Sequence, residues 1–199
     1  MNGSLKEALK NRRSCYDIES RSPVSDARIE EIIDFALSHT PSAFNSQSAR
    51  LVLLLGEHHK KLWNIAMETL REMVPPDKFA PTEEKIGSFA AGYGTILFYE
   101  DQKIVKDLQS RFPLYADNFP VWSQHTSAMH QLAIWTMLED AGLGASLQHY
   151  NPVINARVRE AWSLDPDWLL VAQMPFGSTG KRPDPKEIQP VSARKKVFR

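Results

Sequence analysis

The feature that most limits the folds open to this chain is a helix expected from about residue 121 or 122 to residue 140. Ala128, Leu132, Trp135, Thr136 and Glu139 alternate there with Met129, Ala133, Ile134, Met137 and Leu138, so apolar side chains occupy more than one face. A helix that is apolar around most of its circumference has to be covered on most sides, at the centre of a fold or against another chain. One core built from 199 residues would use less of a single helix than this. The pattern therefore predicts a homodimer whose subunits share the helix.

A hydrophobic content of 42% supplies one sizeable core, and the length falls in the single-domain range, so residues 1–199 read as one domain. The 24 basic residues balance 24 acidic ones, and a net charge of +0 speaks against nucleic acid or an anionic membrane surface as the main partner. Cys15 is a lone cysteine, which excludes an internal disulfide framework and fits a reduced, intracellular setting. His58 and His59 are adjacent and His125 and His130 are not at zinc-ligand spacing, so no metal site is expected. No signal-like apolar run opens the chain, and no stretch reaches the roughly 20 residues of a membrane span, so a soluble, cytoplasmic protein is expected.

Local patterns place the remaining elements. Ser4 with Glu7 opens a short helix over residues 4–11, and Ile29, Ile32, Ile33 and Ala36 recur at helical spacing over 28–37. Further helices are predicted over 57–73, after Thr82, over 102–110 and over 153–162. The runs LVLLL (51–55), TILFY (95–99) and WLLVAQM (168–174) read as strands, and 145–150 as a strand or extended loop. The segment 112–119 is expected to be irregular and near a ligand cavity. The tail from Gly177 is basic and broken by prolines, which suits a path across a surface, such as that of a second subunit.

Three places carry chemistry. The polar loop before the first strand holds Ser42, Asn45 and Gln47, and its amides suit a ligand ring edged with alternating carbonyls and nitrogens. Arg12, Arg13 and Ser14 read either as a solvated helix end or as phosphate capture by two guanidiniums and a hydroxyl. Lys181 and Arg182, after a Gly177–Gly180 turn, add a second cationic pair. GSTGKR is not a nucleotide-triphosphate loop, because Arg182 stands where serine or threonine is needed, and Gly92-Tyr93-Gly94 and Gly142-Leu143-Gly144 each lack the third glycine of a dinucleotide fingerprint. No G-x-S-x-G elbow exists, and Cys15 reads as packing. Gln148 and His149 read either as ordinary strand residues or, because they follow the long helix and a double-glycine turn, as a place where backbone can approach a ligand closely.

Taken in order, these segments resemble the flavin-dependent nitroreductase family. Its R-x-S-x-R/K element is matched by Arg12 and Ser14, with Tyr16 in the last basic position. Its S-x-x-N-x-Q-P-W element is matched by Ser42, Asn45 and Gln47, with Ser48 and Ala49 in place of Pro-Trp. AGLGASLQHY matches the glycine-rich turn after the long helix, and Lys181-Arg182 a C-terminal basic pair. The short length and the LFYEDQ and LQHYNP segments are similar to the compact branch named after a fungal fatty-acid repression protein. The resemblance implies an α+β fold, a three-layer α/β/α sandwich with a mostly antiparallel central sheet, and a dimer with an exchanged C-terminal tail and FMN at its interface. It also implies that Arg12, Arg13, Ser14, Lys181 and Arg182 hold the phosphate and ribityl chain, that Asn45 and Gln47 face the ring or ribityl, and that Leu147, Gln148 and His149 lie along the ring edge.

With FMN the cofactor carries the hard chemistry, so no catalytic side chain is named. The expected reaction is ping-pong hydride transfer from NADH or NADPH to a nitroaromatic or quinone-like acceptor. Two alternatives stand beside it: a flavin-binding regulator of redox or lipid signalling, and a non-catalytic anion-binding module.

Overall fold

The computed structural model describes residues 4–199. In chain order the described elements are α1 (Leu5–Asn11), β1 (Ile18–Glu19), α2 (Asp26–His39), β2 (Ala49–Leu55), α3 (Gly56–Arg71), α4 (Ala80–Ala90), β3 (Gly94–Asp101), α5 (Gln102–Arg111), α6 (Phe119–Asp140), β4 (Gly144–Ala145), α7 (Asn155–Ala161) and β5 (Trp168–Thr179). The sheet runs β1-β5-β3-β2, with β4 also on β5, and all these strand pairs are antiparallel.

All eight residues of β3 are buried, so both faces of this strand are covered. Because side chains alternate across a strand, β3 feeds two cores. Ile96 and Phe98 join Ile29 of α2, Ile134 and Leu138 of α6, and Met174 and Phe176 of β5. Leu97 and Tyr99 join Leu62 and Trp63 of α3, Phe89 of α4 and Val158 of α7 on the other face. Helices on both faces of an antiparallel sheet make the expected three-layer α+β sandwich. Among the described residues no helix is long and apolar enough to cross a membrane.

Helix α1 begins with a capping box, the Ser4 hydroxyl accepting from Glu7 N at 3.3 Å and the Glu7 carboxylate accepting from Ser4 N at 3.4 Å. α6 ends where Gly142 adopts φ +83, a left-handed cap that glycine takes without strain. Its buried side is more polar than expected. Ser123, Thr126, Ser127, His130 and Gln131 are buried, and several of them return hydrogen bonds to the helix itself. Ser123 Oγ donates to Pro120 O at 2.8 Å, Thr126 Oγ1 to Trp122 O at 3.1 Å and Gln131 Nε2 to Ser127 Oγ at 3.0 Å. Apolar Val121, Met129 and Leu132 point outward and are 52%, 39% and 48% exposed.

Some boundaries differ from the sequence expectation. β5 continues through Gly177-Ser178 to Thr179, where a turn was expected, because Gly144 and β1 supply ladder partners there. Of residues 145–150, only Ala145 lies in a strand, joined by a single bridge from Gln148 to Gln173. α7 starts at Asn155, two residues later than expected.

Candidate functional site

The two cationic clusters, far apart in sequence, meet at the C-terminal end of α6. The Arg12 guanidinium lies 4.3 Å from the centre of the Trp135 ring, a cation–π contact that also shields the indole. Arg13 donates to the Asp184 carbonyl at 2.7 Å, tying the end of α1 to the tail. Ser14 bridges Ala145 of β4 in parallel, and Cys15 N donates to Ala145 O at 2.9 Å. From the other end of the chain, Lys181 N donates to Asp17 at 3.0 Å, and Arg182 pairs with Glu139 at 2.9 Å. Close approach explains the glycine at 144: a Cβ there would lie 2.9 Å from Cys15 Cβ and 3.0 Å from Thr179 Cβ.

Cys15 is buried at the centre of this cluster. Burial raises its thiol pKa, the Glu139 carboxylate raises it further, and the opposing pull of Arg182 is smaller. It stays a neutral thiol, which is a poor nucleophile. Tyr16 departs from the cluster: its ring packs against Phe89 at 5.9 Å on the α4 side. The segment after β4 runs beside β5, with Gln148 N and O paired to Gln173 O and N at 2.7 and 2.9 Å. The Gln148 amide is committed to Ser146 Oγ at 3.0 Å, Leu147 packs on the α6-side core, and His149 is exposed.

The Ser42–Gln47 loop lies elsewhere. A single 3-10 turn, Ala43–Asn45, leads it, and Phe44, Asn45 and Gln47 all take positive φ, at 56, 51 and 49. Three non-glycine residues in that region store strain that surrounding contacts must hold. Ser42 Oγ accepts from Gln47 N at 3.0 Å. Arg50 donates to the Gln47 and Ala49 carbonyls, both at 2.9 Å, and reaches Asp101 at 3.0 Å. Phe44 stacks on Trp122 with centroids 6.0 Å apart, and it also meets Phe112 at 4.8 Å and Phe119 at 5.3 Å. The segment 112–119 is thus an aromatic patch under this loop. The Arg50–Asp101 clamp has no local signature in the sequence, because its two residues lie 51 positions apart.

Within one chain, then, the phosphate-type cluster sits at Trp135 and the amide loop at Trp122. Thirteen residues of α6 separate those two rings, about 20 Å at 1.5 Å per residue. Among the described residues no group of three His, Cys, Asp or Glu side chains could hold a metal ion.

The nitroreductase family model matches residues 9–178, which include Arg12–Ser14 and the Ser42–Gln47 loop and end before Lys181 and Arg182. The chain belongs to the nitroreductase family. Among nitroreductases it is similar to nitroreductase FRM2 of Saccharomyces cerevisiae, 31% identical over 186 residues and 92% of each chain. The solved nitroreductase CinD of Lactococcus lactis, in complex with 4-nitrophenol, is 41% identical with a TM-score of 0.89, covering 98% of this chain and all of that one. A Desulfovibrio desulfuricans protein solved in complex with FMN shares the nitroreductase fold at 17% identity and a TM-score of 0.71, covering 100% of this chain and 99% of that one.

Proposed function

We propose that this nitroreductase is an FMN-dependent homodimer that uses NADH or NADPH to reduce nitroaromatic or quinone-like acceptors in a ping-pong cycle. The observation that carries the reading is the separation of the two clusters along α6. One chain supplies a phosphate grip at one end and a ring-facing amide loop at the other, and a second copy related by two-fold symmetry brings one of each together. A cleft of about 480 Å³ between α1, α2 and α6, lined by Leu5, Leu9, Phe35, Met129 and Leu132, gives that second copy an apolar seat. Leu5 and Phe35 are 71% and 50% exposed there, apolar surface that a second copy would cover.

The donor set fits FMN. Arg12, Arg13, Lys181 and Arg182, with Ser14, gather charge for one terminal phosphate. Asn45 and Gln47, from the partner subunit's copy of the loop, supply donors and acceptors for the ring edge, and Leu147 with the Gln148 and His149 backbone lines its other side. When bound, FMN supplies two-electron transfer between nicotinamide and acceptor. The protein's part is positioning: Arg50 fixes the loop, Trp135 orients Arg12, and the outer face stays open so that donor and acceptor occupy it in turn. No side chain is assigned as an obligatory acid: solvent can deliver the proton to an acceptor on the open face, and Cys15 is a buried neutral thiol. Support comes from the family, from the 4-nitrophenol bound to CinD and from the FMN held by the Desulfovibrio relative.

An absorption spectrum of the purified protein, followed by stopped-flow mixing with NADH or NADPH and then a quinone, tests this. Flavin absorbance that bleaches and returns is expected. A protein that stays colourless with added FMN would overturn the proposal.

A further inference from the structure

A second polar cavity shares no residue with the cationic cluster. Between the start of α5, α7 and the loop entering β5 lies a cleft of about 280 Å³. Two atoms of residues lining it, the Tyr99 hydroxyl and Asn155 Oδ1, are buried without a hydrogen-bond partner. Tyr99 is only 4% exposed, and burial raises its pKa, which keeps the phenol protonated as a donor. Leaving such groups unpaired costs about 1–3 kcal/mol each, so orphaned pairs in a folded protein call for a partner from outside the chain.

The rest of the lining says what that partner is. The Tyr99 ring lies 6.0 Å from the Trp168 ring, and Leu164 and Leu170 complete an apolar middle. Asp165 and Asp167 on the rim are already neutralised, by Lys103 at 3.0 Å and by Lys106 at 3.5 Å. Arg159, exposed on α7, makes no ion pair among the described residues and adds positive charge to the rim. The buried end asks for a group that accepts from a phenol and donates to an amide oxygen, as a hydroxyl does. The rim asks for an anion, and the middle for a short carbon stem.

We propose that this cleft binds a small aliphatic hydroxycarboxylate, its hydroxyl between Tyr99 and Asn155 and its carboxylate on Arg159. The volume of about 280 Å³ suits a small ligand. The assignment does not depend on the flavin reading. Trp168 also lines the cavity beside Ser42 and Gln47, so its indole sits between the two places and reports on occupancy.

The test is a ¹H–¹⁵N NMR titration of the full-length protein, saturated with FMN, using 3-hydroxybutyrate as the probe. Butyrate, lacking the hydroxyl, and 1,3-butanediol, lacking the carboxylate, are the controls. Saturable shifts of the Trp168 indole and the Asn155 and Arg159 amides are expected with Kd about 1 mM or tighter, a scale that seven heavy atoms can reach. Each control, and each of Tyr99→Phe and Arg159→Ala, should weaken binding at least about fivefold, the equivalent of one neutral hydrogen bond. Arg159→Ala alters an exposed side chain and keeps the test decisive if Tyr99→Phe folds poorly. Absence of saturable shifts, equal binding of butyrate, or indifference to both substitutions overturns the proposal. If the protein takes up no FMN, the same titration on the apo-protein decides the matter, since the cleft contains none of the cationic cluster.

Discussion

The Ser48 hydroxyl donates a 2.5 Å hydrogen bond to Glu100 Oε2 in the interior, joining the start of β2 to the end of β3. Glu100 is 0% exposed, and its other oxygen, Oε1, has no partner. Burial therefore outweighs the Ser48 bond and the nearby Arg50 charge, and the carboxyl pKa is pushed up to about 7. Serine at position 48, where the family pattern has proline, is what gives this carboxyl a donor.

A stability prediction follows from that pair. Because the folded pKa lies above the ordinary 4.5, the folded state holds a proton that the unfolded state has lost between pH 4.5 and 7. The Glu100 contribution is then most favourable below about pH 4.5 and is lost as pH rises through 7. Glu100→Gln removes this titration and keeps an acceptor for Ser48. Between pH 5 and 8 the stability of the variant should gain on the native protein by up to about 3 kcal/mol. Urea unfolding at both pH values reads this directly, and a gap that stays constant would refute the assignment. His59, whose pKa burial lowers, titrates in both proteins and cancels.

The Arg12 guanidinium packs 4.3 Å from the centre of the Trp135 ring, at the proposed phosphate grip. Replacing it by alanine should weaken FMN binding by about 1.5–3 kcal/mol, the worth of a charged hydrogen bond, with little change in melting temperature. Flavin fluorescence quenching gives the Kd, and an unchanged value would remove Arg12 from the phosphate grip.

Leu132 is 48% exposed on the outward face of α6 and lines the apolar cleft. A glutamate there should be tolerated by the isolated fold but not by a subunit interface, where an unpaired charge would be desolvated. Leu132→Glu is expected to sediment as a monomer and to lose flavin together with its partner. A variant that remains dimeric and yellow would move the interface elsewhere.

Turnover should depend on the loop rather than on a proton donor. Asn45→Ala is expected to slow flavin bleaching or lower flavin affinity, because Asn45 is an exposed residue in a strained left-handed position. Cys15→Ser and His149→Gln should leave reoxidation by a quinone measurable in stopped flow. Loss of reoxidation in Cys15→Ser would mean that the thiol takes part in the chemistry.

Helix starts and strand interiors were legible from local pattern. Ser4 with Glu7, the Ile29-Ile32-Ile33-Ala36 spacing and the apolar LVLLL run each act over a few residues, and the elements they predict are present. The cationic pairs and the amide loop could be named from the sequence as residue types, without their placement. The apolar excess of α6 was also legible, but which side faced inward was not: Ser123, Thr126 and His130 are buried by satisfying their hydrogen bonds within the helix, a choice that periodicity does not encode. Contacts between distant segments were decided by tertiary structure alone. Arg12 and Arg182 converge on the end of α6, at Trp135 and Glu139, because β4 and β5 bring their segments together, β5 outruns its apolar run because Gly144 and Ile18 offer ladder partners, and Ser48 meets Glu100 across 52 residues. Propensity and capping are local energies carried by neighbouring residues, whereas pairing of remote strands and burial of a carboxyl depend on which surfaces the whole chain closes together.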